Sequence, residues 1–252
     1  MSIFANTVNH EHSTLPSLGM EITETLTFTC RYCDKHFQRE RSLEVHLCEP
    51  KRRTQEQHER GVQLGLQAYV KFYEMTQGSA RLKTFEDFAA SQYYRAFVKW
   101  GRYCVGVRAI NPEQFLAWLL KYNKKIDRWC SDQLYEEYLC QFLPREGVSD
   151  ALERGMKEIQ NYADEHPDLR NGCSDYFRYA PSNRVCHHIT TGRISPWIVY
   201  NCNSGIEFID SLSAEQTAIV MPWIDPDTWS KRFADMTADV EWSRHILQQV
   251  GL

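Results

Sequence analysis

The stretch FTCRYCDKHFQRERSLEVHLC, Phe28 to Cys48, decides what the N-terminal part of the chain is. Cys30 and Cys33 are separated by two residues, a spacing that lets both thiolates share one tetrahedral metal. Phe37 follows Cys33 by four residues, and Leu43 follows Phe37 by six. His46 comes after twelve intervening residues from Cys33. A β-rich run, TLTFTC, leads in, and a polar, helix-compatible run carries Ser42 to His46.

At each of these offsets the stretch resembles the zinc finger of the C2H2 type. The resemblance implies a ββα unit around one structural Zn2+, with Phe37 and Leu43 packing the helix on the hairpin. The departure is at the fourth ligand. The family places a second His after three to five intervening residues from His46, where this chain holds Pro50, Lys51 and Arg52. Cys48 is the nearest donor, giving Cys30, Cys33, His46 and Cys48 as the ligand set, with His36 and His58 as rivals. Residues two apart on a helix point ~200° away from each other, so Cys48 can join only if the helix frays after His46. Pro50 favours that, because it disfavours helix at the preceding Glu49. The plain alternative is a pair of buried thiols with no metal.

By the family's helix register, Arg39, Ser42 and Val45 fall at base-reading positions, with Arg41 beside them. An Arg at the first of these can take a guanine by its O6 and N7. Lys51, Arg52 and Arg53 would add phosphate contacts. A lone finger buries too little surface for tight specific binding, and Val45 reads little, so a protein-binding or structural finger is the competing reading.

Outward from the finger, residues 1–22 read as a flexible tail and 23–50 as the finger. Residues 51–60 read as a basic linker and helix start, 61–166 as one helical domain and 167–252 as a second. A long helix runs from Arg53 through Val62, Leu66, Tyr69, Val70 and Tyr73 and stops at Gly78. Thr84 with Asp87, and Ser213 with Gln216, form capping pairs. Asn111-Pro112 and Asp225-Pro226 supply N-cap and N1 residues for further helices. Ile126 to Phe142 reads as one helix, and Ser149 to His166 as another. The region 171–210 is compatible with short helices or a β-excursion. The fold class is therefore mainly α, a small N-terminal ββα finger followed by an all-helical body.

The chain has 252 residues with 42% hydrophobic and 25% charged residues, ordinary for a globular protein with one or two domains. A net charge of −4 confines any nucleic-acid contact to local patches. Two such patches are visible. Arg95, Lys99 and Arg102 share one helix face, opposite Tyr93, Phe97 and Trp100, in a stretch from Phe88 to Pro112 without Asp or Glu. Lys121, Lys124, Lys125 and Arg128 make a second basic row. An ordinary solvated face is the bland reading of both.

Nine cysteines, an odd number, with no export signal point to a reducing compartment, and no apolar run is long enough to span a membrane. The expected location is cytoplasmic. Cys173, Cys186, His187, His188 and Cys202 are candidates for a second metal site, although adjacent histidines point apart. Asp225, Asp227, Asp235 and Asp239 read as a helix start and an exposed face. No Gly-rich phosphate loop or nucleophile elbow is present, and a non-enzymatic role is expected.

The runs FVKWGRYCVGVRAINPEQFLAWLL, DRWCSDQLYEEYLCQFL, SDYFRYAPSNRV and HHITTGRISPWIVYN have the order and hydrophobic rhythm of the helicase-loading proteins of tailed phages, over about 60–252. The chain is also similar to phage-encoded finger proteins of uncharacterised role. The loader resemblance implies a helical, two-domain, non-enzymatic DNA-binding protein of replication. Its partners would be forked or single-stranded DNA, a replicative helicase and single-strand-binding protein, in the cytoplasm of a bacterial host. A finger is not part of that family's layout. The competing roles are a protein-interaction adaptor and a single-finger transcription regulator.

Overall fold

The computed structural model describes residues 27–78, 83–168 and 172–252, so the reading of residues 1–22 as a tail lies outside it. Two compact units divide the chain, the first ending at Gln55 and the second covering Glu56–Leu252. The first is a two-stranded antiparallel hairpin, β1 (Phe28–Thr29) and β2 (His36–Phe37), followed by helices α1 (Glu40–Glu44) and α2 (Glu49–Gln55). The second unit is helical throughout its described residues.

The body begins with α3 (Arg60–Gln77), α4 (Phe85–Ala90), α5 (Tyr94–Gly106), α6 (Pro112–Lys121) and α7 (Asp132–Phe142). It continues with α8 (Val148–Glu165), α9 (Tyr176–Tyr179), α10 (Ser182–Thr190), α11 (Pro196–Val199) and α12 (Asn203–Asp210). Three last helices, α13 (Ala214–Ile224), α14 (Pro226–Asp235) and α15 (Thr237–Gln249), close it.

Local chemistry sets several of the helix ends. Thr84 accepts from the Asp87 N–H while Asp87 accepts from the Thr84 N–H, a reciprocal capping box that satisfies two otherwise orphaned donors. Ser213 and Gln216 repeat it at α13. Asn111 and Asp225 cap α6 and α14, each with proline as the first helical residue. Gly78, at φ 56°, ends α3 in the left-handed conformation that glycine adopts without strain. The region 171–210 is short helices in its described part, not strand.

Three expectations are corrected. The long helix starting at Arg53 is two helices, because α2 ends at Gln55 and α3 starts at Arg60. Ile126 to Phe142 is also broken, into a 3-10 turn at Ile126–Arg128 and α7. The break buries Trp129, whose indole N–H donates to the Lys124 carbonyl at 2.8 Å. Burial of that large ring outweighs the few hydrogen bonds a continuous helix would add. Finally, Tyr93 is 42% exposed; the inward face of α5 runs through Tyr94, Phe97, Gly101 and Cys104.

Two hydrophobic clusters fill the body. One spans α3 to α7 and is rich in aromatics, with Phe97, Trp100, Phe115, Trp129 and Tyr138 all buried. The other runs from Val148 to Leu247 around Trp197, Ile198 and Tyr176. Trp223 of α13 packs against both. Polar ties join them as well: Arg232 donates to the carbonyls of Pro144 and Glu146, and Arg154 pairs with the buried Glu146 carboxylate and donates to the Gly192 carbonyl at 2.8 Å.

Helices α3 and α5 approach backbone to backbone. A Cβ built on Gly101 would fall far inside van der Waals contact distance of the Gly61 carbonyl oxygen and 2.8 Å from the Gly65 nitrogen. Glycine is needed there because any side chain would push the helices apart. No described helix is long and apolar enough to cross a membrane.

Candidate metal centre

The hairpin pairs Phe28 with Phe37 and Thr29 with His36, which brings the turn between them to one end of the first unit. In that turn the Cys30 carbonyl accepts from the N–H groups of Asp34, at 2.8 Å, and Cys33, at 3.4 Å. Asp34 sits at φ 55°, a left-handed position that Asp tolerates better than most residues. The knuckle so formed points both sulfurs the same way. The backbone N–H of Tyr32 leads in holding the Cys30 thiol below its ordinary range; burial opposes it, and the Cys33 N–H adds to it.

Helix α1 is five residues long and ends at Glu44, two residues earlier than the fraying required by the sequence argument. His46 and Cys48 therefore lie on an irregular segment, free of the helical geometry that would turn them apart. The chain then re-enters helix at Glu49, with Pro50 in the first turn of α2, where its missing N–H is harmless. Pro50 thus ends no helix before it; it begins the next one. Lys51 clamps the segment from below, donating to the carbonyls of His46 at 2.9 Å and Glu44 at 3.3 Å.

The outcome is a cluster of four donors, Cys30, Cys33, His46 and Cys48, whose ligand atoms all lie within 4.8 Å of one another. Among the described residues it is the one group of its kind that could hold a metal ion. Cys30 Sγ and Cys48 Sγ are 3.9 Å apart, and Cys33 Sγ and His46 Nε2 are 3.3 Å apart. A tetrahedron with metal–sulfur bonds of ~2.3 Å and a metal–nitrogen bond of ~2.05 Å has S···S edges of ~3.8 Å and S···N edges of ~3.6 Å. These two separations lie within about 0.3 Å of those edges and the whole set within 4.8 Å, so the residues present are compatible with a zinc-sized ion.

The rivals point elsewhere. His36 Nδ1 is 2.8 Å from the Thr29 hydroxyl across the hairpin, and His58, in the second unit, bonds Gln57. Around the cluster, Phe37 stacks near His46 with ring centroids 4.8 Å apart, and Leu43 is half-buried. Cys30 is the only buried hydrophobic residue of this unit among those described. The described residues of this unit form no dry core of their own, and a metal would supply a cross-link.

The cations proposed from sequence divide into three groups. Arg39, Arg41 and Ser42 are exposed at the start of α1, and neither arginine makes an ion pair among the described residues. Lys51 is committed to its two carbonyls, while Arg52 and Arg53 both pair with Glu49. In the body, Arg102 is not the unpartnered cation the helix face suggested. It donates to Glu59 at 2.6 Å and Glu56 at 3.1 Å, residues too far away in sequence for a helix-face argument to find. Lys124 pairs with Glu137 at 3.0 Å. Lys121 lies over the Tyr122 ring, and Arg95 is exposed on α5. Lys99, Lys125 and Arg128 make no ion pair among the described residues, and one cavity is lined by all three together with Lys124.

The second metal candidate does not assemble. His188 is buried, with Nδ1 2.7 Å from the Tyr176 hydroxyl and Nε2 3.5 Å from Glu158, while Cys173 donates to Gln160 and Cys202 lies by Ser204. Asp225 is spent on capping α14, and the four aspartates form no metal group among the described residues. Comparison with family models, curated proteins and solved structures finds no match to this chain.

Proposed function

We propose that the protein is a non-catalytic DNA-binding accessory protein of replication or recombination, its N-terminal unit a finger held together by one structural zinc. Three thiolates and an imidazole are a donor set that zinc prefers over harder cations, and the S···S and S···N separations suit its tetrahedral radius. Zinc here would cross-link the hairpin to the segment after α1; it carries no open coordination position for chemistry.

The observation that carries the DNA reading is the pair Arg39 and Arg41, exposed at the start of α1 beside Ser42 and without a carboxylate partner among the described residues. Arginine in that setting offers a planar fork of donors to a guanine edge or to phosphate. Forked and single-stranded DNA are favoured over a specific duplex site, since one finger with Val45 at a reading position gives little sequence discrimination. A helicase or single-strand-binding partner would follow from the loader resemblance.

An adaptor role has its own supporting observation. Val45 is 75% exposed and Leu47 60% exposed, adjacent aliphatic side chains that a protein partner would cover. Fluorescence anisotropy of the zinc-loaded chain with forked, single-stranded and duplex DNA separates the two. The DNA reading expects tightest binding to the fork and affinity that falls steeply with salt. No binding to any of the three, at low salt, refutes it and leaves the adaptor.

A further inference from the structure

Helix α7 contributes to the lining of two cavities. Gln133 and Glu137 face one of 720 Å³, and Gln141, one turn further on, faces another of 460 Å³. Residues four apart lie on one stripe of a helix, so the three mark a continuous side of a groove along α7. From Gln133 to Gln141 the helix rises ~12 Å, which sets the length of that side. Lys124 links the two linings. Its Nζ bonds Glu137 in the first, and it lies 5.2 Å from the ring centroid of Trp118, which lines the second.

The two ends differ in chemistry. The first holds four cations, Lys99, Lys124, Lys125 and Arg128, against two carboxylates, one of them already engaged by Lys124. The second holds Tyr122, 45% exposed, with its ring 5.1 Å from that of Trp118. The Gln141 carboxamide oxygen accepts from both the Tyr122 hydroxyl and the Trp118 indole N–H at 3.1 Å, which fixes the two rings relative to each other.

We propose that this groove takes a single nucleic-acid strand, with phosphates at Lys99, Lys125 and Arg128 and an unstacked base on Tyr122. A cationic channel leading to a fixed, exposed aromatic face is what a strand requires and a duplex cannot use, because paired bases present no free face. Lys121, now 5.6 Å from the Tyr122 ring centroid, would swing to a phosphate as the base stacks. A small anion would use the cations and leave the aromatic end idle. This inference rests on the DNA reading above and adds to it a second contact surface, in the helical body.

The test is anisotropy of the zinc-loaded full chain with oligothymidylate and with a duplex of equal length, across a salt series. Wild type is compared with Lys99→Glu/Arg128→Glu, with Tyr122→Ala and with Arg39→Ala/Arg41→Ala, each checked for wild-type tryptophan emission and urea midpoint. Loss of two phosphate contacts is expected to weaken single-strand binding by about tenfold or more and to flatten the log–log salt slope by ~1.4. Tyr122→Ala is expected to lose roughly fivefold or more on the single strand and little on the duplex. If wild type binds and the groove variants keep its affinity and slope while the arginine variant loses both, the groove inference is overturned and the finger reading stands. Polyglutamate competing as well as DNA overturns it in favour of an acidic protein partner. Absence of DNA binding by wild type removes both readings at once.

Discussion

Replacing Gly101 by alanine tests how α3 and α5 meet. The added methyl would sit against backbone, with the Gly61 carbonyl and the Gly65 nitrogen in its way, and neither can rotate aside as a side chain would. Overpacking of cores costs ~1–3 kcal/mol, and a rigid obstacle places this site at the upper end. Alanine returns up to ~1 kcal/mol in helix propensity, leaving a net loss of ~2 kcal/mol or more. Gly106 is the internal control: it lies in the same helix, and a Cβ there meets nothing within 4 Å. Gly106→Ala is therefore expected to be neutral or to stabilise by up to ~1 kcal/mol. All seven tryptophans lie in the body, so urea unfolding followed by their emission reports on this unit alone. The expected result is a lower midpoint for Gly101→Ala and an equal or higher one for Gly106→Ala, at unchanged slope. A Gly101→Ala midpoint at or above wild type would refute the backbone-to-backbone packing.

The remaining expectations concern metal, charge and pH. The chain is expected to release one zinc per molecule to a chromogenic chelator after thiol modification, and Cys48→Ser to weaken zinc binding by at least tenfold while His58→Ala leaves it unchanged; the reverse order would reassign the fourth ligand. Glu146→Ala strands the guanidinium of Arg154 and is expected to cost ~3–5 kcal/mol by urea unfolding, more than Glu207→Ala, whose partner Arg178 is exposed. His188 is held down to about 4 by burial first, then by Arg193, Arg184, His187 and Arg108, which together outweigh the nearby Glu158. Because the unfolded chain takes up that proton near pH 6.5 and the folded one does not, this stability is complete above ~6.5 and falls as pH drops toward 4, by ~2 kcal/mol at pH 5. His188→Gln should flatten that limb of the urea-midpoint-versus-pH curve; an unchanged limb would place the titration elsewhere.

What was legible in the sequence is what is decided locally. Thr84, Asn111, Ser213 and Asp225 satisfy amides of their own first turns, so their side chains announce helix starts without reference to the rest of the chain. Cys30, Cys33 and His46 were legible as candidate donors for a similar reason, since their spacing is local; the choice of Cys48 over His36 and His58 was open until the early end of α1 placed it beside them. Gaps at 56–59 and 129–131 were not, because no proline or glycine marks them and the demand comes from packing, as with Trp129. The basic face of α5 was read correctly as a face and incorrectly as unpartnered, since Glu56 and Glu59 reach Arg102 from before α3. Nothing in a helical period says that Gly61 and Gly65 will meet Gly101, and the groove along α7 needs three-dimensional neighbours to exist at all.

Burial gives the chain's thiols an uneven chemistry. Cys104, Cys130, Cys140, Cys173, Cys186 and Cys202 are all pushed above the ordinary thiol range, in each case first by desolvation. A thiol that stays protonated is a poor nucleophile and oxidises slowly. Desolvation therefore slows reaction at these six, whereas the Cys30 thiol is held below the ordinary range by the Tyr32 N–H; against the Lys35 N–H, burial and the Cys48 and Cys30 thiols raise Cys33 beside it. If the four donors hold a metal ion, mass-resolved alkylation before and after chelation would read that occupancy at Cys30, above the slower background of the body's desolvated thiols.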